Sequence, residues 1–166
     1  MTPNTNPSEM HAIKEVIETC SKNMHRIATA ESCTAGLVAY LLTTVPGSSA
    51  VFKRGWVTYD NQAKIEEVAV QRMTIERYGV YSEQVAMEMA HGARMNAGVQ
   101  YGIGITGVAG PNADQGVEAG SVWIAISHGT RFSLDHHIIK AHRDLVRWKT
   151  AISAITLLHA AIRTFE

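Results

Sequence analysis

The stretch Ala30-Glu31-Ser32-Cys33-Thr34-Ala35-Gly36 decides how this chain is organised, because the hydrophobic period changes there from that of a strand to that of a helix. Residues 26–30 are short and largely apolar, and helical spacing begins after the stretch, at Leu37, Val38, Leu41 and Leu42. The small polar residues between these runs predict a strand-to-helix turn. Ser32 and Thr34 could simply cap the helix, which is the commoner use of such residues. The alternative is a site where unpaired N–H groups at the helix start hold an anion or an oxyanion.

Composition and charge restrict the classes of protein to which the chain can belong. With 166 residues and 46% hydrophobic content, the chain suffices for one domain with a full core. We predict a single domain over 1–166, with a flexible start at 1–7. Fifteen basic residues balance fifteen acidic ones, so overall charge favours neither nucleic acid nor an anionic membrane. Two cysteines cannot form a disulfide framework, and the sequence contains neither a signal-peptide pattern nor a membrane-spanning apolar run. We therefore expect a cytoplasmic protein.

Hydrophobic periodicity predicts the remaining elements. Further strands are predicted over 50–59, 101–107, 121–127 and 132–140, and helices over 10–24, from 60 or 61, over 74–79, from 82 and over 143–165. The last two strands form a predicted hairpin, which gives the sheet an antiparallel edge. Together these elements predict an α/β fold, a three-layer α/β/α sandwich with a mixed sheet and helices on both faces.

Lys64 is a candidate general base. It falls in the first turn of a helix that Asp60 or Asn61 can cap, where the positive end of the helix dipole disfavours its ammonium form. An ordinary solvated lysine is the alternative. Tyr59, at the end of the preceding strand, could reach the same site, or its hydroxyl could lie in water.

Two further observations concern a ligand site. Ser32, Tyr59 and Thr106 each fall at or just after the carboxyl end of a predicted strand, where ligands of α/β sheets bind. Arg143 and Arg147 share one side of the first turns of the last helix. They could meet a phosphate together, although two such arginines are most often solvated.

Two motif matches are rejected. Residues 101–107 contain the letters of the dinucleotide fingerprint, but Gly102 and Gly104 lie inside a predicted strand instead of a strand-to-helix turn. They indicate a close backbone approach, and the long loop that follows is a plausible wall of a ligand site. The adjacent His136 and His137 point to opposite faces of a strand and cannot both bind one ion, so no metal site is expected.

Three motifs in the same order resemble the competence-damage CinA C-terminal domain family. They are Ala30-Glu31-Ser32-Cys33-Thr34-Ala35-Gly36, Gly55-Trp56-Val57-Thr58-Tyr59-Asp60-Asn61-Gln62-Ala63-Lys64 and Thr106-Gly107-Val108-Ala109-Gly110-Pro111. The resemblance covers nearly the whole chain. Family members with known activity are nicotinamide mononucleotide deamidases, which hydrolyse the carboxamide to give nicotinic acid mononucleotide and ammonia. The resemblance thus implies a metal-independent amidohydrolase without a cofactor, in which Ser32 is the nucleophile and Lys64 and Tyr59 assist proton transfer.

The same resemblance implies where the substrate binds. Its oxyanion would be held by N–H groups near Cys33 and Thr34, and its phosphate by Arg143 or the backbone of Thr106 and Gly107. The full set of expected substrate-binding residues is Cys33, Thr34, Gly36, Thr106, Gly107 and Arg143. We expect Ser32 to point into the site and Cys33 into the packed layer. The expected partner is a small pyridine mononucleotide, with no nucleic acid and no membrane, and the protein is expected to be a homo-oligomer.

The sequence departs from the family pattern in three places. Ala35 replaces the first of two glycines, which is a mild change if the backbone there is helical. The loop at 112–120 lacks the family's Gly-Gly pair and its later Pro-Val-Gly, and Ala141-His142-Arg143 keeps only the arginine of Gly-Asp-Arg. These departures favour a rival interpretation, a catalytically silent paralogue that binds a nucleotide or acts as an interaction module.

Overall fold

A computed structural model describes residues 5–165 of the chain. Seven helices and five strands occupy these residues in the order α1 (Pro7–Lys22), β1 (Ile27–Glu31), α2 (Leu37–Thr43), α3 (Ser48–Val51), β2 (Phe52–Val57), α4 (Asn61–Val68), α5 (Arg72–Tyr78), α6 (Glu83–Ala97), β3 (Tyr101–Gly107), β4 (Ser121–His128), β5 (Arg131–Ile138) and α7 (Arg143–Phe165).

Helix α1 begins within the segment 1–7, which the sequence predicts to be flexible. Residues 1–4 lie outside the described residues, but α1 already begins at Pro7. Asn6 caps it: its side chain accepts a hydrogen bond from Glu9 N at 2.9 Å, and the Glu9 carboxylate accepts one from Asn6 N at 2.8 Å. This reciprocal capping box, followed by proline at the first helical position, fixes the helix start.

The five strands form one mixed sheet in the order β2-β1-β3-β4-β5. β1 pairs in parallel with both β2 and β3, whereas β4 runs antiparallel to β3 and to β5. The predicted hairpin is confirmed and forms one edge. The carboxyl ends of the parallel strands β1, β2 and β3 consequently lie side by side at the same end of the sheet.

Helices cover both faces of the sheet, which confirms the three-layer α/β/α architecture. On one face, α6 packs against β1, β3 and β4, with α4 and α5 beside it. On the other, α1, α2 and α7 enclose the larger core, to which β3 contributes Ile103 and Ile105. The glycines of β3 point to α6. A Cβ on Gly102 or Gly104 would clash with the carbonyl oxygens of Ala90 or Ala86. The expected close backbone approach is therefore an approach of helix to strand.

The predicted strand at 50–59 is shorter than expected. Residues 48–51 form the short helix α3, and β2 occupies only Phe52–Val57. Gly47 precedes α3 with φ 89°, a left-handed conformation that turns the chain sharply, and Val51 is buried by the turn that follows. The apolar residues at 50 and 51 matched a strand pattern because a single helical turn is too short to show its own period.

Helix α7 is long and apolar enough to cross a membrane, judged by length and composition alone, over Arg143–Thr164. Half of that stretch is buried inside the structure, where α7 packs against α1, α2 and the sheet. A core helix of a soluble α/β fold has the same composition, so this helix is weak evidence for a membrane.

Candidate active site

A cavity of about 300 Å³ opens at the carboxyl ends of the parallel strands. Ser32 follows β1, Tyr59 lies two residues beyond β2, and Gly107 ends β3; all three line the cavity. Its volume is at the lower end of the range for small-molecule sites. The expected convergence of residues that follow different strands is therefore present, because parallel strands bring their carboxyl ends together.

Lys64 lies directly behind Ser32. Its Nζ atom is 3.1 Å from Ser32 Oγ, and the lysine side chain is only 1% exposed. Asp60 caps α4 by accepting a hydrogen bond from Ala63 N at 2.7 Å, which places Lys64 in the first helical turn, as predicted. The geometry excludes the alternative of a solvated lysine.

Burial lowers the pKa of Lys64 to about 8, although the nearby Cys33 and Asp60 act in the opposite direction. Nζ also donates to Thr58 O at 2.9 Å and to Tyr59 O at 3.3 Å. A neutral amine has two N–H donors and one lone pair. A third carbonyl, Asp60 O, is farther away at 3.5 Å. When the neutral amine donates to the two nearer carbonyls, its lone pair can accept the hydroxyl proton of Ser32.

The N–H groups at the start of α2 donate their hydrogen bonds to a carboxylate of the protein itself. The buried Glu31 carboxylate accepts hydrogen bonds from Gly36 N at 2.9 Å, Val38 N at 3.1 Å and Ala39 N at 2.9 Å. The N–H groups inside α2 are therefore not available to an external anion, which was one alternative. Capping by Ser32 or Thr34, the commoner alternative, is also wrong, because the N-cap residue is Gly36 without a side-chain cap. Glu31 was overlooked because a carboxylate at the end of a buried strand resembles any polar residue at a strand end.

The backbone of the turn before α2 remains available to a ligand. Among the described residues, the N–H groups of Cys33 and Thr34 donate no hydrogen bond to another residue. Arg147 holds the turn from the opposite side by donating to Cys33 O and Thr34 O, both at 3.1 Å. Of Cys33 and Thr34, only Cys33 lines the cavity, so its N–H is the one that the turn can offer to an oxyanion there. Arg147, in contrast, is engaged with the turn and does not line the cavity.

Ala35 has φ 50°, in the left-handed region. Its backbone is therefore not helical, and the condition under which alanine would be a mild replacement for glycine is not met. A left-handed conformation costs a residue with a Cβ roughly 1–2 kcal/mol.

Cys33 touches the cavity but belongs mainly to the core. It is 5% exposed and packs in the cluster that contains Val38 and Leu41. Burial raises the pKa of the Cys33 thiol to about 12, and the nearby negative charge of the Glu31 carboxylate acts in the same direction. A thiolate is thus disfavoured, and the geometry agrees with the expectation that Cys33 faces the packed layer.

Arg143 and Tyr59 form part of the cavity wall together. Arg143 donates from one terminal nitrogen to Gly110 O at 2.6 Å and from the other to the Tyr59 hydroxyl at 2.8 Å. Tyr59 is 58% exposed. Its backbone carbonyl contacts Lys64, whereas its hydroxyl pairs with Arg143.

Several predicted substrate-binding residues are not brought to the cavity. The Thr106 hydroxyl is buried and donates to Val80 O at 2.8 Å, and neither Thr34 nor Gly36 lines the wall. The residues that the sequence did not predict individually are Tyr81, Val108, Ala109, Gly110, Pro111, Asn112 and Asp114. Most belong to the loop after β3, which was predicted as a wall. Tyr81 lies between Gly79 and the N-cap residue Ser82 of α6, and no local sequence pattern identifies it as a cavity residue.

The histidines have separate partners. His136 stacks on Trp123 with ring centroids 4.2 Å apart, while His137 pairs with Asp135 at 2.9 Å. Within residues 5–165, no group of three or more histidine, cysteine, aspartate or glutamate side chains is arranged to hold a metal ion.

The family model and the known proteins that the chain matches carry the same family description. The profile of the CinA C-terminal domain matches residues 9–162. A putative competence-damage inducible protein of Acetivibrio thermocellus is 41% identical over 133 residues, which are 80% of this chain and 32% of that protein. A CinA-like protein of Fervidobacterium nodosum is 34% identical over 155 residues, 93% of this chain and 38% of that protein. The chain thus spans about a third of the length of these relatives.

Solved structures match over almost their full length. The competence damage-inducible protein A of Klebsiella pneumoniae subsp. pneumoniae MGH 78578 superposes with a TM-score of 0.92 at 26% identity, covering 95% of this chain and 99% of that one. The competence/damage inducible protein CihA of Agrobacterium tumefaciens gives a TM-score of 0.87 at 32% identity, covering 97% and 99%.

Proposed function

Because the chain belongs to the CinA C-terminal domain family, we propose that it is an amidohydrolase that converts nicotinamide mononucleotide to nicotinic acid mononucleotide and ammonia. The observation that carries this proposal is the 3.1 Å contact between the buried amine of Lys64 and the hydroxyl of Ser32 at the cavity. A serine hydroxyl becomes a nucleophile only when an adjacent base takes its proton. A lysine whose pKa is lowered to about 8 supplies that base near neutral pH.

In the first half of the reaction, Ser32 Oγ attacks the carbonyl carbon of the carboxamide while its proton passes to Lys64 Nζ. The N–H group of Cys33, which lines the cavity, would donate to the oxyanion of the tetrahedral intermediate. When the carbon–nitrogen bond breaks, Lys64 returns the proton to the leaving nitrogen, which departs as ammonia. An ester between Ser32 and the nicotinoyl group remains.

In the second half, a water molecule attacks this ester and Lys64 accepts the water proton. Collapse of the second tetrahedral intermediate releases the carboxylic acid, and the proton on Lys64 returns to Ser32 Oγ. The acid then loses its own proton to solvent and leaves as the carboxylate. We assign the phosphate of the substrate to Arg143, because this guanidinium lines the cavity and spends two of its five N–H donors on neutral oxygens. Tyr59 would then position Arg143 and assist proton transfer through its hydroxyl.

The proposal extends to the setting of the enzyme. We propose a cytoplasmic location, since the substrate is an intracellular type of metabolite and both cysteines, Cys20 and Cys33, are buried thiols outside any disulfide. A homo-oligomer remains a prediction.

The test is the rate of ammonia release from nicotinamide mononucleotide in the presence of a chelator. Ser32→Ala should abolish turnover, and Lys64→Ala should lower it by about 10²- to 10⁴-fold, as expected for loss of a general base. Cys33→Ala is the matched control, because it changes the neighbouring residue by the same small volume and removes no catalytic group. Thermal melts verify that each variant folds.

Two outcomes would contradict the proposal. Activity in Ser32→Ala together with inactivity of a folded Cys33→Ala would make the enzyme a thiol amidase. A folded parent protein that releases no ammonia would favour the silent paralogue, to which the altered loop at 112–120 points.

A further inference from the structure

The cavity carries two opposite charges that do not neutralise each other. Of the residues that line it, Arg143 has a basic side chain and Asp114 an acidic one. Arg143 donates to the neutral oxygens of Gly110 and Tyr59, and Asp114 accepts from the neutral hydroxyl of Tyr81. Within the described residues, Arg143 and Asp114 form no ion pair with each other. One positive and one negative charge are therefore available to a ligand.

Arg143 and Tyr81, the residue that holds Asp114, reach the cavity from opposite layers of the sandwich, whereas Asp114 itself lies in the loop between β3 and β4. Arg143 is the first residue of α7, which packs on one face of the sheet. Tyr81 immediately precedes Ser82, the N-cap of α6 on the other face. The Thr106 hydroxyl anchors the segment before Tyr81 at the end of β3 by donating to Val80 O at 2.8 Å. The cavity wall thus holds one cationic and one anionic side chain on different elements, α7 and the loop after β3, which suits a ligand that itself carries both charges.

Asp114 is held in place by its own loop and by Tyr81. Its backbone N–H donates to Val117 O at 3.0 Å, and its carbonyl accepts from Val117 N at 2.8 Å. Burial raises the pKa of Tyr81 to about 12, assisted by the hydrogen bond to Asp114. The phenol thus stays protonated and occupies one carboxylate oxygen, Oδ2. The remaining oxygen of Asp114 can face a ligand.

We propose that Asp114, positioned by Tyr81, recognises the positive charge of the pyridinium ring of the substrate. This inference rests on the proposed function, because it assigns a specificity determinant to the same cavity. The ring nitrogen of nicotinamide mononucleotide is quaternary and cationic, and its phosphate is anionic, so the substrate is charged at two ends. Arg143 matches the phosphate and Asp114 the ring, with the Tyr81 ring adding an aromatic face for a cation.

The reduced form of nicotinamide mononucleotide provides the discriminating ligand. It keeps the ribose, the phosphate and the carboxamide, but its dihydropyridine ring is uncharged. Asp114 is exposed, so solvent screens its attraction, and a contact of this kind is expected to favour the cationic ring by about tenfold. The preference should shrink as the salt concentration rises.

The experiment measures binding of both nucleotides by titration calorimetry in a Ser32→Ala background, which prevents turnover. Adding Asp114→Asn should weaken the binding of the oxidised nucleotide by about tenfold. The affinity for the reduced nucleotide should change by less than about twofold. Adding Glu118→Gln instead is the matched control. It removes one negative charge from the same loop, but Glu118 does not line the cavity, so both affinities should persist.

The outcomes separate this inference from the proposed function. Equal weakening of both nucleotides by Asp114→Asn would overturn the inference, because Asp114 would then act without sensing ring charge. Equal binding of the two forms to the parent Ser32→Ala protein would overturn it too. Either result is compatible with ammonia release by the protein with Ser32 intact, so the proposed function would survive. If neither nucleotide binds and the protein with Ser32 intact releases no ammonia, both the inference and the proposed function are contradicted.

Discussion

Raising the pH from about 7 to about 9 should stabilise the fold, because it removes a buried positive charge from Lys64. Burial lowers the pKa of this lysine from 10.5 to about 8. Between these two values the unfolded chain binds more protons than the folded protein, and under that condition the free energy of unfolding rises with pH. The penalty for the ammonium form is therefore fully present below pH 8 and is lost as the pH approaches 10.5.

The magnitude follows from the two pKa values of Lys64. Each pKa unit corresponds to about 1.4 kcal/mol, so the ammonium form destabilises the fold by roughly 3 kcal/mol below the folded pKa. Linkage over the interval from about pH 7 to about pH 9 predicts a gain of about 1 kcal/mol. For a domain of this size, that gain corresponds to a rise of roughly 2–4 °C in Tm.

The assay is chemical denaturation at both pH values, for the parent protein and for Lys64→Met, whose side chain is of similar length but uncharged. Burial raises the pKa of Cys33 from 9.0 to about 12, so this thiol destabilises the fold above pH 9, with the opposite sign. Its effect is common to both proteins and largely cancels in the difference between them. A difference in unfolding free energy that stays constant between the two pH values would refute the claim that the Lys64 ammonium is destabilised.

Four further predictions concern the site and its support. The kcat/KM for ammonia release should rise as the pH increases through about 8, the pKa of Lys64, because the neutral amine is the base; a pH–rate profile that is flat there would exclude this role. Ala35→Gly should raise the free energy of unfolding by about 1 kcal/mol in urea, since glycine adopts the left-handed φ without strain. Glu31→Gln should lower it by at least about 2 kcal/mol, because an amide cannot accept all three N–H groups at the start of α2; an unchanged urea midpoint would contradict this. Gly104→Ala should cost about 2 kcal/mol or more, because its Cβ would clash with Ala86 O of α6, and a wild-type melting curve would show that α6 can move away.

The fold class was predictable because each layer leaves a periodic trace in the sequence. The alternation in 121–127 predicted β4, and the three- and four-residue spacing in the last segment predicted α7. The position of Lys64 in the first turn of α4 was predictable from the polar cluster before it. The short helix α3 was missed, because four residues cannot show a helical period.

Side-chain direction limited the prediction of the site. Thr34, Gly36 and Thr106 stand in the expected motifs, but none lines the cavity, since a motif fixes the place of a residue in the chain and not what it faces in the fold. Glu31 and Arg147 support the turn from opposite sides, although 116 positions separate them in the chain numbering. No local pattern could connect them.

The sequence by itself determined the order of the elements, the mixed sheet and the family, because hydrophobic period and motif order are local properties that any one stretch of chain displays. Only the tertiary structure decided that Lys64 Nζ meets Ser32 Oγ in a buried environment, and that Asp114 of the loop after β3 and Arg143 of α7 line one cavity. The physical reason is that desolvation and charge complementarity depend on distances between elements. Those distances are set by how α4, α6 and α7 pack on the sheet, and packing is a property of the whole fold.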